Sequence, residues 1–238
     1  MIDSAKLIGA TIDLDFDFPR ISEEILACRD LWKYARPNNV QIEDGIAGRT
    51  PFMSESRSNY ERLEYYDTKM AETKSGEFSA TRRMYLRTYD GFENPSFLVT
   101  KTVHENLWRW SDEIATLCPY TIECIESLPI GKLGAVCCLI MEDTFLPTHR
   151  DFNTEQKDYH QSRSLGLSLI PETGGVGTQI WHPVEKKRYE IKGNCTVFND
   201  AMYHGTSLVP RRIILRIFGE IDWQKILSKA VPESVITL

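Results

Sequence analysis

Three short stretches hold the residue types that could do chemistry. They are Thr148-His149-Arg150-Asp151, Met202-Tyr203-His204-Gly205, and the basic run Arg211-Arg212-Ile213-Ile214-Leu215-Arg216. On an extended segment, residues two apart point the same way, so His149 and Asp151 present an imidazole and a carboxylate to one point while Arg150 turns aside. His204 ends a later stretch that an antiparallel fold can return beside the first. Two imidazoles and one carboxylate on one side of a divalent ion leave its other positions open, which suits a non-haem Fe(II). A lone His-x-Asp recurs by chance, and a single histidine among aromatics is commonly a structural hydrogen-bonding residue. Order gives the pieces meaning: His149-Arg150-Asp151 closes one apolar run, a Gly-rich turn follows, His204 ends a later run, and the arginines come a few residues on. Strand alternation puts Arg212, Ile214 and Arg216 on one face and Ile213, Leu215 and Ile217 on the other. A guanidinium fork grips a carboxylate bidentately, so arginines beside a metal suit an acidic ligand. The plain alternative is an edge strand with solvated arginines.

The elements that must position these residues are legible in outline. Lys6 to Phe18 reads as a strand stopped by Pro19, and Ser22 to Ala35 as a helix with Ser22 as its N-cap. Asn38 to Gly76 is irregular, with a helix possible from Tyr60 to Thr73; such a stretch suits a lid or substrate loop. Arg82 to Tyr89 alternates as a strand, and Lys101 to Leu117 has helical spacing through Val103, Leu107, Trp110, Ile114 and Leu117. From Leu133 on, short apolar runs recur at 133–141, 164–170, 178–181, 188–191, 195–198 and 212–219, with Gly-rich or Asn/Asp turns between. Such spacing predicts a mostly β fold with flanking helices, a sandwich or barrel rather than βαβ units. One domain over 1–238 is expected, with a helical and loop-rich part at 1–130 and a metal-binding β part at 131–225.

Composition narrows the classes. The chain has 238 residues, enough for one substantial core, with 42% hydrophobic and 26% charged residues, as in globular proteins. A formal charge of -6 argues against nucleic acid or an anionic membrane surface as partner. No apolar run approaches the ~20 residues of a membrane helix. Six cysteines, none in a Cys-x-x-Cys, read as buried thiols of a reducing compartment, so a cytoplasmic location without a signal peptide is expected.

Taken together, residues 149–151, His204 and Arg212, with the GGVGTQIW turn and strand between, resemble the Fe(II)/2-oxoglutarate-dependent dioxygenases. The resemblance spans about Leu133 to Asp222. It implies a double-stranded β-helix (jelly roll, cupin-like), with His149, Asp151 and His204 as Fe(II) ligands. Arg212 would pair with the distal carboxylate of 2-oxoglutarate, with Arg216 its rival for that role or a contact to a substrate anion, and Arg163 another substrate contact. The implied reaction consumes O2 and 2-oxoglutarate, releases succinate and CO2, and hydroxylates an unactivated C–H. Asp151 as a carboxylate ligand implies hydroxylation or desaturation over halogenation. Arg82, Arg83, Arg87, Arg163 and Arg216 suggest an acid-bearing substrate: an amino acid, a peptidyl residue or a small carboxylate metabolite. A kinase loop is rejected, since no DFG or upstream GxGxxG accompanies the His-Arg-Asp, and the glycine turn lacks a phosphate loop's Gly-Lys-Ser/Thr ending. Two alternatives stay open: a cupin-like metalloenzyme that does not use 2-oxoglutarate, and a non-catalytic jelly-roll binding module. Oligomeric state is not legible.

Overall fold

The computed structural model describes residues 2–34, 41–43, 46–48, 81–88, 108–144, 165–200 and 202–238. Along the chain run β1 (Leu7–Thr11), α1 (Phe18–Ala27), β2 (Lys33–Tyr34), β3 (Gln41–Glu43), β4 (Ile46–Gly48), β5 (Thr81–Thr88) and β6 (Arg109–Trp110). There follow α2 (Asp112–Leu117), α3 (Pro119–Glu126), β7 (Ile130–Thr144), β8 (Gly166–Glu172), β9 (Thr178–His182), β10 (Lys187–Ile191), β11 (Cys195–Phe198) and β12 (His204–Gly205). The last are β13 (Val209–Ile221), α4 (Trp223–Leu227) and β14 (Ile236–Thr237). The large sheet has the order β14-β1-β11-β8-β13-β7-β5-β2, with β6 paired to β5, and a small sheet has the order β10-β9-β12. From β8 to β13 the chain passes between the two sheets, giving β7-β13-β8-β11 in one and β12-β9-β10 in the other. This is the expected antiparallel jelly roll, built as two sheets and not as a closed barrel.

Alternation in β13 divides the interior. Ile213, Leu215 and Ile217 join Val136, Cys138, Ile140, Leu167 and Leu169 in the main core, which continues into Ile21, Ile25, Ile114 and Ile125 of the helices. Each such side chain contributes about 1.5–3 kcal/mol when fully buried. The opposite face holds a second cluster of Met141, Ile170, Val209 and Ile214. Ile8 and Phe198 of the large sheet meet Ile180 and Ile191 of the small one. A Cβ on Gly9 would overlap the Ile191 side chain, so the two sheets come into close contact where β1 has no side chain. Against Ile213 to Leu215, β8 runs from Glu172 to Leu169, one residue longer. Pro171 lies in that bulge, where its missing N–H removes no ladder bond.

Several boundaries differ from expectation. The first strand ends at Thr11, because Asp13 N–H already bonds to Lys229 O (2.8 Å) and the chain has left the sheet. Pro19 opens the helix instead of stopping a strand: Asp17 is the N-cap, its carboxylate accepting from Arg20 N–H (3.1 Å), and proline fits the first turn. Ser22 is a buried helix residue that donates to Glu172 (3.0 Å). Within the described part of the helix expected over 101–117, Arg109–Trp110 pairs with β5 as a strand and a helix begins at Asp112, capped by Ser111. Pro119 then starts α3, which the sequence reading did not anticipate. Residues 101–107 and the possible helix at 60–73 lie outside the described residues. Among the described residues no helix is long and apolar enough to cross a membrane.

All six cysteines are free and buried. Cys28 and Cys118 touch through sulfur at 3.3 Å, at the ends of α1 and α2. An S–H donated by Cys118 draws the Cys28 thiol below its ordinary range and pushes Cys118 above it. Burial raises Cys124, Cys138 and Cys195.

Candidate functional site

Of the residues singled out by type and spacing, His204, Arg212 and Arg216 lie among the described residues; His149, Asp151 and Arg163 lie outside them. Among the described residues no three His, Cys, Asp or Glu side chains gather as a metal site.

His204 opens β12, which pairs with β9 through His204↔Ile180 and Gly205↔Gln179. The ring is 3% exposed. Its Nδ1 lies 2.8 Å from Met202 O. A carbonyl only accepts, so Nδ1 carries the proton, and a neutral ring then has its lone pair on Nε2. An imidazole fixed this way by a backbone carbonyl is oriented for ligation through Nε2. Phe198 packs against the ring at 4.8 Å between centroids. Of the three expected ligands, His204 is the one among the described residues, and its ring is oriented for such a role.

Arg212 is 0% exposed on the inner face of β13, a strand bordered on both sides by β7 and β8. The solvated-edge alternative therefore does not describe this strand. Its Nη1 donates to Val176 O (2.5 Å) and Gly177 O (3.0 Å), and its Nη2 to Thr178 Oγ1 (2.8 Å). The glycine-rich turn accordingly closes on the guanidinium, and Gly177 permits this: a Cβ there would stand 2.5 Å from Ile191 O. A guanidinium beside a hydroxyl offers an oxyanion several donors at once.

Arg216 lies four residues further along the same face, beyond Ile214, and is 7% exposed. Its Nη2 pairs with Asp200 Oδ2 at 3.2 Å, and its Cζ sits 4.8 Å from the Phe198 ring centroid. Gly166 makes room, since a Cβ there would stand 2.5 Å from the guanidinium.

Arg82 and Arg87 do not converge on this face. Arg82 opposes Ile140 on the outer face of the sheet, near Glu142 (3.9 Å) and the Trp32 ring. Arg87 donates to Leu133 O and Gly134 O. Thr178 and Gly166 had no local signature in sequence; each owes its place to a strand pairing or a turn. His182 is a buried end of β9, between Thr237 O (3.0 Å) and Glu185 N–H (3.1 Å).

No family model matches the chain, and no curated protein does. Among solved structures it is similar to an oxidoreductase of the 2OG-Fe(II) oxygenase family from Burkholderia pseudomallei, at TM-score 0.34 and 10% identity over 58% of this chain and 66% of that one. A Pseudomonas putida prolyl-4-hydroxylase gives 0.33 and 10%, over 85% and 98% of the two chains. A viral collagen prolyl hydroxylase from Paramecium Bursaria Chlorella virus-1 gives 0.30 and 12%, over 66% and 88%. The first of these carries in its name the family that the motifs resemble. At such scores and identities the likeness assigns no activity, substrate or residue role.

Proposed function

We propose that the chain is an Fe(II)- and 2-oxoglutarate-dependent oxygenase that hydroxylates an unactivated C–H of an amino acid, a peptidyl residue or a small carboxylate-bearing metabolite. The observation that carries this reading is Arg212: wholly buried, on the inner face of the jelly roll, eight residues after His204, with the Thr178 hydroxyl at its fork. His149, Asp151 and His204 would hold Fe(II), His204 through Nε2. When bound, Fe(II) supplies the redox chemistry that couples O2 to decarboxylation of 2-oxoglutarate into succinate and CO2. Arg212 binds the distal carboxylate by charge-assisted hydrogen bonds, and Thr178 turns its hydroxyl proton to the same group. Met141, Ile170 and Ile214 keep water from that end, which strengthens those bonds. Arg163 is proposed as a contact to the acid group of the substrate.

The test is anaerobic addition of Fe(II) and 2-oxoglutarate to the apo protein, followed by visible absorption. A weak charge-transfer band is expected. Iron binding without the band sinks the 2-oxoglutarate reading and favours a metalloenzyme of another kind. No iron binding by the folded protein leaves a non-catalytic jelly roll. Succinate release across a panel of amino acids and peptides then finds the substrate class, and no stimulation by any carboxylate compound overturns that part.

A further inference from the structure

β12 is two residues long, too short to fix a ligand ring by itself. Among its contacts are backbone bonds to β9, the Met202 carbonyl and the Phe198 ring. The turn that delivers His204 runs from Phe198 through Asp200, and two points on it are gripped from the large sheet by one side chain. Arg216 reaches across Gly166 of β8, lies against Phe198 and pairs with Asp200. The ion pair is nearly dry, with side-chain exposures of 9% and 5%. A buried pair of this kind is costly to break from one side, because the remaining charge loses its partner without regaining water. It therefore holds the turn in one place.

We infer that Arg216 and Asp200 are positioning residues that set the His204 ring for metal binding, through the ion pair and the Phe198 ring, and that Arg216 is not the contact to a substrate anion. This rests on the reading of His204 as a metal ligand. The same guanidinium in the substrate role would have to give up Asp200, which sits four residues before His204 in the segment whose position the site depends on.

The experiment is titration of Co(II) into the apo protein, read by its visible ligand-field absorption, for wild type, Asp200→Asn, Arg216→Met and Arg216→Lys. Thermal melts without metal are recorded alongside. Asp200→Asn and Arg216→Met are expected to weaken Co(II) binding roughly 10–100-fold, as for other groups that orient metal ligands, and to shift the absorption envelope. Arg216→Lys keeps the charge and recovers part of the affinity. If Arg216→Met does not fold, the double variant Arg216→Met/Asp200→Leu removes both charges together and takes its place, with the same loss expected. Variants that bind Co(II) within about twofold of wild type, with unchanged absorption, overturn the inference while leaving the proposed function standing. A rise in substrate KM alone would return Arg216 to the substrate. If wild type itself binds no Co(II), the proposed function fails first and takes this inference with it.

Discussion

Arg212 does two jobs that a single substitution can separate. Its guanidinium ties the turn at Val176 and Gly177 to β13, and in the proposed function it also receives a carboxylate. Arg212→Ala strands buried acceptors, so a stability loss of about 3 kcal/mol is expected in chemical denaturation. Arg212→Lys keeps a buried charge but not the fork. It should fold more stably than the alanine variant and bind 2-oxoglutarate roughly 10–100-fold more weakly, the equivalent of one charge-assisted hydrogen bond of about 1.5–3 kcal/mol. Isothermal titration with the Fe(II)-loaded protein checks this; unchanged 2-oxoglutarate binding by Arg212→Lys would remove Arg212 from the cosubstrate. The thiols make a separate residue-scale case. The thiolate is the species that reacts with an alkylating agent, and its fraction at a given pH rises as the pKa falls. Cys28 is drawn down by Cys118, while Cys118, Cys124, Cys138 and Cys195 are pushed up. Slow labelling with iodoacetamide near pH 8 should therefore modify Cys28 before those four, with labelling rising as pH rises. Peptide mass mapping reads the order, and Cys195 labelled ahead of Cys28 would contradict it.

At the scale of elements, glycine positions show which contacts are tight. Gly166 stands under the Arg216 guanidinium, whereas at Gly131 a Cβ would meet nothing nearer than Glu220 O at 3.7 Å. Gly166→Ala is expected to cost about 1–3 kcal/mol by overpacking, and Gly131→Ala to stay within about 0.5 kcal/mol. Equal melting temperatures for the two would mean that Arg216 moves aside freely, against a fixed Arg216–Asp200 pair. The same strands show what sequence could convey. Alternation in Ile213 to Ile217 assigned faces, since a period of two needs no knowledge of partners. The runs at 178–181, 188–191 and 195–198 likewise fall on β9, β10 and β11, because each is bounded by its own turn residues. Helix starts were harder. Asp17 and Ser111 are ordinary capping types, but Pro19 reads equally as the end of a strand or the first turn of a helix until the chain's departure from the sheet is known. The Arg216–Asp200 contact was less legible still: only the pairing of β11 with β8 and of β8 with β13 brings the two residues together.

Over the whole molecule, residues from the two ends of the chain complete one sheet. β1 pairs with β11 through Gly9↔Phe198, and β5 pairs with β7 through Met84↔Cys138, so the first part of the chain widens the jelly-roll sheet on both sides. Pairings so distant in sequence leave no local trace, so the strands near 7–11 and 81–88 were legible while their partners were not. The consequence is a gradient of protection. β13 is bordered by β7 and β8 and packed on both faces, with the main core outside and Met141, Ile170 and Val209 inside. Among the described residues β14 pairs only with β1, and β6 only with β5. Amides exchange by local opening unless breaking them requires the whole core to come apart. Hydrogen exchange followed by mass spectrometry should therefore find the slowest amides in β13, β7 and β8, approaching the free energy of global unfolding, and fast exchange in β6 and β14. Because Arg212 and Arg216 sit on that slowest strand, adding Fe(II) and 2-oxoglutarate should slow the segments around His204 and the 173–177 turn while changing β13 little. A β13 that exchanges as fast as β14 in the apo protein would refute the rigid platform on which both arginines are placed.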